Sequence, residues 1–118
     1  MRKITKLARK AFLNAEPFKL DNTEVKVYTG EFGSIITEMS LFGNIIARRY
    51  SNVSSSDSFQ IIAITNAGYK TATTKERLNH IIPQVSIRQR DGDWWIEQGM
   101  AWKLWDGDWK VVFAEVLI

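Results

Sequence analysis

Apolar residues recur at Ile4, Leu7, Ala8, Ala11 and Phe12, three and four positions apart, while Arg2, Lys6, Arg9 and Lys10 fall between them. That spacing predicts an amphipathic helix, because about 3.6 residues per turn gathers those apolar side chains on one face. The helix is expected to stop near Asn14, since Pro17 restrains the residue before it and cannot continue a helical ladder. From Thr23 the period changes to two. Val25 and Val27 alternate with Glu24 and Lys26, Gly30 and Gly33 punctuate the chain before Ser34 to Leu41, and Gly43-Asn44 does so before Ile45 to Tyr50. This predicts a three-stranded meander. The polar tract Ser51 to Ser58 is expected to be a loop, and the β-branched run Phe59 to Thr65 a buried central strand. Thr73 and Glu76 have the spacing of a capping box for a short second helix carrying Leu78, Ile81 and Ile82 and ended by Pro83.

The carboxyl-terminal third contains a repeat. Asp91-Gly92-Asp93-Trp94 returns as Asp106-Gly107-Asp108-Trp109, and Asp-Gly between alternating hydrophobics is a strong hairpin signal. Two hairpins are therefore expected. In the first, Gln89 faces Trp94, Arg88 faces Trp95 and Ile87 faces Ile96. In the second, Leu104 faces Trp109, Lys103 faces Lys110 and Trp102 faces Val111. Cross-strand partners share a face. Hence Val85, Ile87, Trp94 and Ile96, and likewise Met100, Trp102, Leu104, Trp109, Val111 and Phe113, are predicted to form core faces. Trp95 and Trp105 are left on polar faces beside Arg88, Lys103, Asp108 and Lys110. The resulting fold class is α+β in one domain spanning 1–118: a mostly antiparallel sheet of meander and hairpins, with an N-terminal amphipathic helix and one short second helix.

Composition narrows the chemistry. The chain has 118 residues, no cysteine and one histidine, so disulfides, thiolate metal sites and cysteine nucleophiles are excluded and His80 cannot build a histidine-rich metal centre. His80 falls near the end of the short helix with no assignable nucleophile or acidic orienter, and it is read as a helix-end residue. The four aspartates of the repeated turns are read as turn formers, since neither tetrapeptide resembles a calcium loop. No catalytic residue, metal or cofactor is assigned. The charge is uneven: five cations, Arg2, Lys3, Lys6, Arg9 and Lys10, lie in the first ten positions, and the remainder carries eleven basic against thirteen acidic residues. That segment is the evident electrostatic handle for phosphate, anionic lipid or an acidic partner, unless its cations only keep the outside of a packed helix wet. Charges interrupt the leading apolar positions, so no signal peptide is read, and no run approaches the length of a membrane span.

Two surfaces are therefore candidates for binding. One is the basic helix. The other consists of Trp95 and Trp105 with Arg88, Lys103 and Lys110, a flat ring beside a cation being suited to stacking on a base or seating a partner's hot spot. The competing structural reading is a ring that covers the sheet or stacks on arginine for stability. From Val85 onward four basic residues stand against six acidic ones, which does not describe a nucleic-acid groove.

Leu41-Phe42-Gly43-Asn44-Ile45-Ile46-Ala47, Thr73-Thr74-Lys75-Glu76-Arg77-Leu78-Asn79 and the Asp-Gly-x-Trp turns, read together with Ala11-Phe12-Leu13-Asn14 and Asp21-Asn22-Thr23-Glu24-Val25, resemble a family of small uncharacterised proteins of tailed bacteriophages. The resemblance implies the cytoplasm of an infected bacterium as the setting, and an accessory protein rather than an enzyme. The expected function is non-enzymatic binding of a host protein or nucleic acid, with self-association left open. The alternative is a small-ligand sponge in which Trp95, Trp105 or Tyr69 stacks on a nucleotide signal and arginines hold its phosphates.

Overall fold

A computed structural model describes residues 2–52 and 58–117. Helix α1 (Lys3–Leu13) buries Thr5, Ala8, Ala11 and Phe12. Its end is a Schellman arrangement: Ala15 takes a positive φ of 53° and the Glu16 amide donates to the Ala11 carbonyl at 2.9 Å, two residues before Pro17 rather than at it. Leu7, expected on the apolar face, is 38% exposed, and Thr5 occupies the buried position instead. The Thr5 hydroxyl donates to the Glu76 carboxylate and accepts from Arg77 Nη1 at 2.7 Å, so the polar side chain is satisfied where it is buried.

The strands β1 (Phe18–Leu20), β2 (Thr23–Thr29), β3 (Ser34–Leu41), β4 (Asn44–Asn52) and β5 (Ser58–Ile64) follow α1. The predicted meander is β2, β3 and β4, and β1 is a short edge strand that the period-two pattern missed. Ser51, Asn52 and Ser58, assigned to a loop from sequence, are strand residues, and the rest of the serine tract, 53–57, lies outside the described residues. Helix α2 (Ala72–Asn79), then β6 (Val85–Arg90), β7 (Asp93–Gln98), β8 (Ala101–Trp105) and β9 (Lys110–Leu117) complete the chain. The cap of α2 is Thr71, whose Oγ1 accepts from the Thr74 amide at 3.1 Å, and not Thr73. Glu76 does not cap α2, because it is turned toward Thr5, Arg77 and the Arg2 backbone at the start of α1.

The strands make two sheets, one of order β1-β2-β3-β4-β5-β9 and one of order β6-β7-β8, antiparallel throughout. One face of the six-stranded sheet, with Val25, Met39, Ala47, Ile62 and Ile64, shares a continuous core with Phe12 of α1, Leu78 of α2, and Val85, Ile87, Trp94 and Ile96 of the small sheet.

The first expected hairpin is present in its expected register: Gln89↔Trp94, Arg88↔Trp95 and Ile87↔Ile96. The second is not. β8 pairs with β7 through Trp94↔Trp105, Trp95↔Leu104 and Glu97↔Trp102, turning at Gly99-Met100 with Gly99 at φ 75°, and β9 crosses to the large sheet beside β5. Consequently Met100, Leu104, Trp109 and Val111, expected in the core, are exposed, and Trp105, expected on a polar face, is buried. Two physical gains decide this outcome. The Trp105 ring packs against Trp94 with centroids 6.0 Å apart while its Nε1 donates to the Asp108 carbonyl at 2.9 Å. The β-branched run of β9 also gives β5 a ladder neighbour from Ile64↔Lys110 to Ser58↔Leu117, whereas a local hairpin would have left β5 an open edge.

Candidate interaction surfaces

The basic residues of α1 form a real surface. At about 100° per residue, Arg2, Lys3, Lys6, Arg9 and Lys10 occupy an arc of about 120°, opposite the buried residues. Arg2, Lys3, Lys6 and Lys10 are exposed and Arg9 is half-buried.

The second surface is the outer face of the three-stranded sheet. Alternation sends Val85, Ile87, Trp94, Ile96 and Trp105 inward and places Arg88, Arg90, Trp95, Trp102 and Leu104 outward. The Arg88 guanidinium sits 4.4 Å from the centroid of the Trp102 ring, a cation–π stack. Arg88, Gln89, Arg90, Trp95 and Trp102 line a recess of about 410 Å³. Asp93 opposes Arg90 and Glu97 opposes Trp102 on the same face, so its two arginines are balanced by two carboxylates.

Of the residues singled out from sequence, Arg88 and Trp95 come together here. Trp105 does not, being 6% exposed in the core. Lys103 opposes Ile96 and so points to the other side of the small sheet, and Lys110 opposes Ile64 in the large one. Lys103 and Lys110 are therefore separated from Trp95 and from each other. Trp102 takes the place assigned to Trp105. The signal that would have found it is Gly99-Met100: a turn there puts Trp102 opposite Glu97, on the outward parity of Trp95.

Arg48 was not singled out at all. Its Nε donates to Glu38 at 2.8 Å and its guanidinium lies 4.8 Å from the Trp109 ring centroid, beside a recess of about 640 Å³ that also reaches Asn66 and Gly107. Burial opposes its charge, but hydrogen bonds to Glu38 and Tyr50 hold its pKa above the ordinary arginine value. Tyr69, proposed for nucleotide stacking, lines a separate recess of about 450 Å³ with Phe42 and the threonines of the α2 amino terminus. The aromatic residues of the sponge reading thus do not converge.

The block from Thr73 to Asn79 is structural. Arg77 is buried, with Nη1 on Thr5 and on Glu76 at 2.9 Å and Nε on Thr23 at 3.2 Å, which ties α2 to α1 and β2. Burial raises the Glu76 pKa, yet the Thr5 and Arg77 hydrogen bonds outweigh it and hold the carboxyl below the usual range. Asn79 donates to the Ile87 carbonyl at 3.0 Å and accepts from the Ile87 amide at 2.6 Å, so one side-chain amide covers the edge of β6. Among the described residues, no helix is long and apolar enough to cross a membrane, and no three histidine, aspartate or glutamate side chains are grouped to hold a metal ion.

The family model of the Kyanoviridae Gp96 protein matches residues 1–112. The chain belongs to this cyanophage protein family. The Gp96 match runs from α1 to Val112 in β9 and takes in both surfaces described above. No curated protein and no solved structure matches the chain.

Proposed function

We propose that this bacteriophage protein is a non-enzymatic accessory factor that acts in the cytoplasm of the infected bacterium and binds a host protein through the outer face of the three-stranded sheet. The observation that carries this reading is Arg88 stacked 4.4 Å from Trp102 with Trp95 beside it, on a face open to solvent at Arg88, Arg90 and Leu104. Tryptophan and arginine are the side chains most often found as binding hot spots, because they bury large area and keep a polar handle. A protein partner is favoured over nucleic acid by the balance of Arg88 and Arg90 against Asp93 and Glu97, since phosphate binding draws on an excess of cations. The five cations of α1 suit long-range steering toward an acidic partner. The non-enzymatic part is supported by the resemblance to small phage accessory proteins and by the lack of a nucleophile or acidic orienter assignable to His80.

The test is affinity capture from host extract with the tagged chain, with and without nuclease, beside Trp95→Ala and Arg88→Ala variants checked for folding by circular dichroism. The expected result is a nuclease-resistant protein partner whose capture falls about tenfold or more in each variant, the change for losing about 1.4 kcal/mol. Equal capture by all three proteins would remove this face from the function, and nuclease-sensitive capture would transfer it to nucleic acid. A recess of about 410 Å³ also has the size of a small-ligand site, which keeps a nucleotide-binding sponge as the second reading. A thermal shift with nucleotides that vanishes in Trp95→Ala would favour that sponge.

A further inference from the structure

The face of the six-stranded sheet turned away from the helices carries an unbroken cross-strand row. Tyr28 opposes Ile36, Ile36 opposes Tyr50, Tyr50 opposes Ile61 and Ile61 opposes Ala114, so five strands in succession present an apolar or aromatic side chain outward. Tyr28 is 45% exposed, Ile36, Tyr50 and Ile61 are half-buried, and Ala114 is exposed. Two residues along each of β2, β3 and β4 lies a second row, Lys26↔Glu38↔Arg48, continuing through Ala63 to the 55% exposed Val111. An apolar row on a sheet face that no helix covers marks a candidate interaction surface.

We infer that this face is the interface of a symmetric homodimer, formed by packing the open sheets of two copies against each other. The argument is the order of the rows. A two-fold axis parallel to the strands and midway between β3 and β4 reverses strand order while keeping each row in line. It sets Tyr28 against Ile61 of the second copy and Ile36 against Tyr50 of the second copy, so every tyrosine meets an isoleucine. The same operation sets Glu38 against Arg48 of the second copy and Arg48 against its Glu38, which makes a closed cluster of four alternating charges. Lys26 faces Ala63, which is 9% exposed in the single copy and brings no like charge against the lysine. Isologous contacts require a surface to complement itself, and both rows do so about one axis. Strands near parallel across the interface are the aligned packing of β-sandwiches, at about 10 Å separation and a crossing of about 30°. Nucleic acid fits this face poorly, because Lys19, Lys26 and Arg48 share it with Glu24 and Glu38, which leaves an excess of one cation. The inference stands apart from the host-partner reading, which concerns the other sheet.

Sedimentation and native mass spectrometry of the full chain over a concentration series provide the test, with a charge exchange as the discriminating experiment. Wild type is expected at twice the 13.6 kDa chain mass. Glu38→Arg brings like charges to Arg48 of the second copy, and Arg48→Glu does so to its Glu38. Each is expected to weaken self-association about a hundredfold or more, since opposed like charges cost several kcal/mol. Mixing the two variants restores opposite charges at both contacts, so a one-to-one heterodimer is expected, although each variant keeps its own broken internal pair. Tyr28→Lys, at a half-exposed position that tolerates a lysine in the single copy, is expected to weaken dimerisation about tenfold. A wild-type chain that remains at 13.6 kDa throughout would overturn the inference. So would a dimer unaffected by Tyr28→Lys, or folded charge variants that fail to pair on mixing.

Discussion

The tetrapeptide Asp-Gly-Asp-Trp occurs at 91–94 and at 106–109, and the two copies do different work. In the first, Asp91 and Gly92 both have positive φ, 53° and 84°, the signature of a type I′ turn, and the chain folds straight back so that Trp94 is fully buried. In the second, Gly107 alone takes positive φ, Asp106 Oδ1 accepts from the Asp108 amide at 3.0 Å, and the chain leaves the small sheet for the large one. Gly107 is anchored there: its carbonyl accepts from Thr65 Oγ1 at 2.7 Å and from the Asn66 amide at 2.9 Å. Trp109 emerges 42% exposed against Arg48. The difference teaches that a turn sequence permits a hairpin, whereas the strands on either side decide whether one forms. β6 finds its best partner in β7, but β9 finds a longer one in β5 than β8 offers.

This contrast is sharpest at its tryptophans. Trp94→Ala and Trp105→Ala should each cost about 3 to 5 kcal/mol through lost burial and a cavity, and Trp109→Ala less than about 1 kcal/mol, read by denaturant unfolding. A larger loss at Trp109 than at Trp105 would mean that the second hairpin forms after all. The glycines come next. A Cβ at Gly107 would lie 2.0 Å from Asn66 Nδ2 on a strained backbone, so Gly107→Ala should cost about 3 kcal/mol. At Gly92 nothing lies within 4 Å, and Gly92→Ala should cost about 1 kcal/mol for its φ alone. The smallest effects separate the aspartates: Asp106→Ala should lose about 0.5 to 1 kcal/mol with its hydrogen bond, while Asp91→Asn should stay within about 0.5 kcal/mol, asparagine being equally at home in a type I′ turn. A thermal melt of both variants side by side checks this pair.

The candidate surfaces were legible in the sequence only as far as local parity reached. Arg88 and Trp95 were placed correctly because the first turn dictates the register that opposes them. Trp105 and Trp102 exchange places because the Gly99-Met100 turn, a weaker local signal than Asp-Gly, reverses the outward parity of β8. The cations of α1 were visible from spacing alone, but Thr5 was not, since its burial depends on Glu76 and Arg77, some seventy positions away. The uncovered face of the large sheet has no local signature for a related reason. Tyr28, Ile36, Tyr50 and Ile61 form one row only once four strands are aligned, and β-branched and aromatic residues read as core until something is seen to lie on one side alone.

By itself the sequence determined the α+β class, the limits of α1, the meander, the central strand β5 and the first hairpin. Each depends on periodicity, capping or turn chemistry between residues near in sequence, where few alternatives compete. The tertiary structure alone decided the destination of β9, the burial of Trp105, the clamp of Thr5, Glu76 and Arg77, and the sheet face that the helices leave uncovered. These follow from which distant strand best satisfies a row of backbone hydrogen bonds and which ring best fills the core. That competition has no local signature, because its cost and reward are set by burial that exists only after the whole chain has folded.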